Sequence, residues 1–114
     1  SIDDETKQAK ALIRISDEGG TVSGRIEKIL TDKPDAVCEE CEGDLKGKPV
    51  RGMRILQGLR ASGEWFEGGT ILDPNNGKVY KAKLRVIDGG AKLEVRGFIG
   101  VSLLGRTQTW LREP

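Results

Sequence analysis

Lys78-Val79-Tyr80-Lys81-Ala82-Lys83-Leu84-Arg85-Val86-Ile87-Asp88-Gly89-Gly90-Ala91-Lys92-Leu93-Glu94-Val95-Arg96 is the stretch that decides the fold. Tyr80, Ala82, Leu84 and Val86 alternate with Lys81, Lys83 and Arg85. A helix would spread these cations around its circumference, whereas a strand sorts them onto one face and leaves the other apolar. Asp88-Gly89-Gly90 supplies the positive φ of a tight turn. Leu93 and Val95 then alternate with Lys92, Glu94 and Arg96. The unit is a β-hairpin, and Glu94 is the expected cross-strand partner of the cationic row.

The same grammar extends outward in both directions. Ala11, Ile13 and Ile15 alternate with Leu12, Arg14 and Ser16; Asp17-Glu18-Gly19-Gly20 turns the chain; Val22, Gly24 and Ile26 continue on the return strand. Gly52–Leu59 and Trp65–Leu72 read as two more strands around a turn at Arg60-Ala61-Ser62-Gly63. Asp73-Pro74-Asn75-Asn76-Gly77 is a turn, with Pro pre-setting φ and Gly closing it. The last strands are Lys92–Val101 and Arg106–Arg112, linked by Ser102-Leu103-Leu104-Gly105. Short helical turns fit Asp3–Lys10 and Asp35–Cys41, and no window supports a long amphipathic helix. Leu30–Val50 lacks a strand pattern, and a loop of that length in a small domain is either functional or tied down.

The reading is all-β: one domain over residues 1–114, with seven to eight antiparallel strands in hairpin succession. Strands with one apolar face each bury it in a sandwich or a barrel, and local connectivity favours an up-and-down barrel. Residues 1–45 carry six Lys/Arg against twelve Asp/Glu, and residues 46–114 thirteen against six. In one compact domain these opposed halves face each other across neighbouring strands. The near-neutral total gives no nucleic-acid footprint. No apolar run approaches the length of a membrane-spanning helix.

Chemistry-bearing residues are few. The chain has no histidine, which removes the commonest general base and zinc ligand. Hydrolysis would then rest on paired carboxylates, and these cluster in the 30–50 loop rather than on an inward face. The expectation is no enzyme, no cofactor and no bound metal. Cys38-Glu39-Glu40-Cys41 admits three readings. A redox pair needs a stabilised thiolate, which the adjacent carboxylates oppose. A zinc site needs four ligands, and carboxylates or a second chain would have to complete it. A disulfide, or paired thiols, cinching the long loop is the favoured reading. Asp32, Asp35, Glu39, Glu40, Glu42 and Asp44 crowd the same loop without calcium-loop spacing; Asp73, Asn75 and Gly77 mimic the start of such a loop, but Leu84 stands where its bidentate Glu belongs. Lys81, Lys83 and Arg85 read as a solvated outer face, since a single-strand platform would interleave them with exposed aromatics.

Arg96-Gly97-Phe98-Ile99-Gly100-Val101-Ser102-Leu103-Leu104-Gly105-Arg106-Thr107-Gln108-Thr109-Trp110 is distinctive, as are Gly68–Pro74, Asn76-Gly77-Lys78 and the segment from Val37-Cys38 to Cys41-Glu42-Gly43. Together they resemble a bacterial domain-of-unknown-function family of small secreted or periplasmic proteins with a lipocalin-like barrel. The resemblance implies an eight-stranded barrel, a periplasmic or secreted location and a cleaved signal peptide, and it implies no activity. Members of that family open with a Gly-x-Trp strand, whereas this chain starts at Ser1 without a Met or a leader, reading as a mature or trimmed chain whose opening strand is either lacking or replaced. In lipocalin-like barrels a late Arg packs over the opening Trp, a structural role that the resemblance gives to Arg106 or Arg112.

Arg106, Gln108, Trp110 and Arg112 share one face of the final strand. Tyr80, Arg106, Gln108 and Trp110 are the candidate ligand-binding residues, and Cys38 with Cys41 the candidate disulfide. The expected function is a non-catalytic envelope barrel holding a small apolar or amphiphilic ligand. The alternative is a solidly packed barrel that contacts protein partners through the 30–50 loop.

Overall fold

The computed structural model describes residues 11–31, 33–99 and 105–112. Seven strands follow in chain order: β1 (Ala11–Glu18), β2 (Thr21–Ile29), β3 (Arg54–Ser62), β4 (Trp65–Asp73), β5 (Lys78–Ile87), β6 (Lys92–Phe98) and β7 (Gly105–Leu111). They form one antiparallel sheet in the order β1-β2-β3-β4-β5-β6-β7, every neighbour in space being a neighbour in sequence. The sheet curls into a half-barrel with β1 and β7 as its edges. The expected Asp3–Lys10 turn, Gly100–Leu104 and the strand expected before Ser1 lie outside the described residues.

Glycine-centred bulges produce the curl. Val22 pairs with Leu59 and Gly24 with Leu56, so β3 spends three residues where β2 spends two. Gly58, at φ 76°, absorbs the extra residue. A strict two-residue period would send Leu56 and Leu59 to opposite faces. The bulge returns both to the interior, where each is fully buried. On β4 the same device appears between Phe66↔Leu84 and Gly69↔Ala82, with Gly68 at φ 83°. Bulges bend a strand and increase its twist, which a sheet needs in order to curl.

The hairpin turns at 19–20, 63–64 and 88–91 lie at one end of the half-barrel, which is packed shut. Val22, Leu59, Leu84 and Trp110 are buried there, with Phe66 and Leu93 packed against them. Each fully buried Leu contributes about 2 kcal/mol by leaving water. Val86 departs from the expected apolar face and is 55% exposed, because it lies beyond this last packed layer, next to the 88–90 turn. On the outer face Arg85 stands opposite Glu94 and bonds it at 2.7 Å, as the charge pattern of the hairpin anticipates.

Several boundaries differ from the sequence reading. β3 starts at Arg54 because Gly52 sits in a turn at φ 85°, and it runs on to Ser62, which pairs with Trp65 around a two-residue turn. β6 ends at Phe98, opposite Gly105, and Ile99 leaves the ladder. The helical turn expected at Asp35–Cys41 is replaced by extended backbone: Val37 bridges Pro49, and the Cys38 N–H donates to the Lys48 carbonyl at 2.9 Å. A 3-10 turn forms later in the same loop, at Gly43–Leu45.

The long connection between β2 and β3 is tied down at several points. Cys38 and Cys41 form a disulfide, and both are buried. The Val50 N–H donates to the Ala36 carbonyl at 2.9 Å, and the Gly47 N–H to the Cys38 carbonyl at 2.8 Å. The loop backbone at Glu40 and Cys41 rests directly on Gly77, where a Cβ would overlap the Glu40 carbonyl.

Three stability outcomes follow. Gly69→Ala places a Cβ on the β3 backbone at Gln57 and Gly58, so it costs about 3 kcal/mol, the upper end of overpacking. Gly63→Ala, in open space at φ 62°, costs about 1 kcal/mol. Urea unfolding of both variants checks the ranking. The Cys38–Cys41 bridge closes a short ring, so the Cys38→Ser/Cys41→Ser double variant loses roughly 2 kcal/mol in the chain-entropy picture. Its unfolding midpoint should match that of the wild-type chain in a thiol reductant and fall below that of the oxidised chain.

Candidate functional site

The end opposite the packed turns is open. There the interior contains a hollow of about 850 Å³. Its walls are aliphatic: Ile13 and Ile26 come from the first hairpin, Ile55 and Ile71 from the β3–β4 hairpin, and Val95 from β6. Trp110, 5% exposed, forms part of the floor. Val22, Leu59 and Leu84, with the rings of Phe66 and Trp110, pack the closed end, and this end is left unfilled.

The polar lining is built by two local structures. The first is the 73–77 turn. The Asp73 carboxylate accepts the Asn75 N–H at 2.9 Å, and the Asn76 side-chain oxygen accepts the Lys78 N–H at 2.9 Å. These Asx-type bonds shape the turn, and Gly77 closes it at φ 70°. The Asn76 amide nitrogen then donates to the Tyr80 hydroxyl oxygen at 3.2 Å. The second is the β2–β3 loop, whose Thr31, Lys33, Ala36 and Val50 reach the hollow. The Thr31 hydroxyl oxygen accepts the Lys33 N–H at 3.3 Å.

The period of β7 aligns Arg106, Gln108 and Trp110 along one wall. The register places them opposite Gly97, Val95 and Leu93 in turn, so they descend from the mouth towards the floor. The Trp110 indole N–H donates to the Gln108 side-chain oxygen at 3.0 Å. Tyr80, Arg106, Gln108 and Trp110, the four residues singled out from the sequence, all line this one hollow. Arg112 does not; it is exposed at the closed end, where its N–H donates to the Ala91 carbonyl at 2.9 Å.

Sequence reasoning missed two parts of the arrangement. The loop contributions, Thr31 and Lys33, carry no periodic signal. Trp65 was not connected to the basic row. It stands on the outer face with the Lys83 ammonium 4.3 Å and the Arg85 guanidinium 4.7 Å from its ring centre. Its position was readable, because β4 begins Trp65-Phe66 and Phe66 packs inward. The stacking covers part of the cationic row, as does the Arg85–Glu94 pair.

Among the described residues the acidic side chains of the loop do not converge, and Asp32 lies outside those residues. Glu39, Glu40, Glu42 and Asp44 are exposed, and among the described residues no three His, Cys, Asp or Glu side chains stand close enough to hold a metal. Among the described residues no helix is long and apolar enough to cross a membrane.

Comparison with known proteins places this architecture. No curated protein matches the chain. A solved structure from Helicobacter pylori, described as "Protein HP1028 from the human pathogen Helicobacter pylori belongs to the lipocalin family", superposes with a TM-score of 0.82 at 16% identity, covering 96% of this chain and 76% of that one. At that identity the likeness establishes the fold, which is lipocalin-like. A family model described as "Uncharacterized protein conserved in bacteria (DUF2147)" matches residues 2–112. With nearly its whole length matched, the chain belongs to this family of uncharacterised bacterial proteins.

Proposed function

We propose that the chain is a non-catalytic binding protein of the bacterial envelope, periplasmic or secreted, that holds one small apolar or amphiphilic ligand in its half-barrel. The observation that carries this reading is the hollow of about 850 Å³, aliphatic along its walls and polar at its mouth. Ligand sites typically occupy roughly 300–1,000 Å³ and combine apolar walls with a few orienting polar groups. Burying the ligand's apolar part supplies the affinity, at about 25 cal/mol per Å² removed from water. Tyr80, Arg106, Gln108 and Trp110 orient it. The lipocalin-like fold accords with this role.

The same lining argues against catalysis. Asp73 is its one carboxylate among the described residues, so a paired-carboxylate mechanism has no second partner there. The Cys38–Cys41 disulfide supports an oxidising compartment. A solidly packed interaction module is the weaker reading, because the 30–50 loop spends its inner residues on the hollow and on the 73–77 turn.

Binding is read through the floor. In Trp65→Phe, Trp110 is the one remaining tryptophan. A brominated fatty acid should quench its emission saturably, and native mass spectrometry should show one ligand per chain. Ile13→Trp, which fills the hollow from the edge strand, should weaken uptake about tenfold or more, a cost of about 1.4 kcal/mol. Absence of quenching and of any bound species across a panel of amphiphiles would overturn the reading.

A further inference from the structure

The Cys38–Cys41 bridge stands where two parts of the hollow's mouth meet. Cys38 is fully buried and Cys41 nearly so. On one side the bridge is continuous with its own loop. The Cys38 N–H donates to the Lys48 carbonyl, Val37 pairs with Pro49, and the Val50 N–H donates to the Ala36 carbonyl. Ala36 and Val50, at the end of this ladder, line the hollow. On the other side the Cys38 Sγ is 3.6 Å from the Pro74 carbonyl oxygen, and the backbone of Glu40 and Cys41 rests on Gly77. Pro74 and Asn76 of that turn also line the hollow. The bridge thus backs both parts of the mouth.

Opening the bridge changes what this place must hold. Two thiols occupy more room than one bonded pair of sulfurs, and a packed interior passes added volume on to its neighbours. The Gly77 side has no slack, since even a Cβ would overlap the Glu40 carbonyl there. The ring from Cys38 to Cys41 also regains the freedom that the bond had removed. Both effects displace the loop backbone against the 73–77 turn. The solvent side, where Glu39 and Glu40 are exposed, is the direction left open.

We propose that the Cys38–Cys41 pair is a redox-sensitive fastener of the mouth. Oxidised, it seats the loop on the 73–77 turn. A dithiol reductant attacks one sulfur as a thiolate, passes through a mixed disulfide and leaves as its own disulfide. Its two electrons and two protons end on Cys38 and Cys41 as thiols. The loop then shifts, the turn loses its seat, and the hollow's grip on a guest weakens. That last step rests on the binding role proposed above; the loss of the seat does not. Linkage makes the effect reciprocal, so a guest released by reduction must oppose reduction by the same factor.

The experiment uses the full chain, oxidised and fully reduced in dithiothreitol. Without any guest, NMR relaxation follows the backbone at Asn75, Gly77 and Lys78, whose N–H groups are bonded within the turn. On reduction their order parameters should fall from the rigid range, about 0.85, towards 0.6 or below, while those of the β5–β6 ladder hold. In Trp65→Phe, a brominated fatty acid that quenches Trp110 should bind about threefold or more weakly to the reduced chain, and at saturation it should raise by the same factor the ratio of reduced to oxidised dithiothreitol needed for half-reduction. A turn as rigid reduced as oxidised overturns the fastener, as does reduction that unfolds the whole chain. A mobile turn with unchanged affinity overturns its coupling to the hollow. Absence of quenching in both states overturns the binding role, and the order parameters still decide the fastener.

Discussion

Each strand of this protein has one face that water rejects, and seven such faces must find a single place to hide. A flat sheet would need a second layer to cover it, and the described residues offer no helix or second sheet to do so. Curling is the solution that remains, and it depends on residues that let an extended chain bend. Gly58 and Gly68 supply the bends by adopting backbone angles that other residues resist. Gly69 lets β3 pass so close that any side chain would strike its backbone. The interior owes its existence to these glycines as much as to its leucines.

How much of this was legible in the sequence depends on the element. The β5–β6 hairpin could be read almost residue by residue, because its cations and apolar residues alternate without interruption. Apart from the end of β6, the exception is Val86, which has the correct period and the wrong depth; periodicity reports a face, and the number of packed layers decides how far along that face burial extends. β3 was harder. Leu56 and Leu59 violate the period of two, and only the register with Val22 and Gly24 shows why both are buried. The 30–53 connection could not be read, since its course is set by the disulfide, the Val37–Pro49 bridge and the seat on Gly77, all of them tertiary contacts.

The candidate site follows the same division. Tyr80, Arg106, Gln108 and Trp110 were identifiable because strand periodicity placed them, and they gather in one hollow. Thr31, Lys33 and the 73–77 turn complete the lining from segments without periodicity. Trp65 shows a further limit. Alternation places it outside, but whether an outward tryptophan stands alone or stacks depends on the neighbouring strand, where Lys83 and Arg85 flank it.

Gly77 ties two parts of the rim into one piece. Because nothing but backbone separates the turn from the stapled loop above it, neither can shift without carrying the other. The rim therefore behaves as a collar rather than a hinged cover. On the binding role proposed above, guests would be sorted by bore, and a side chain at this glycine would be felt on the far side of the collar, at positions that it never touches.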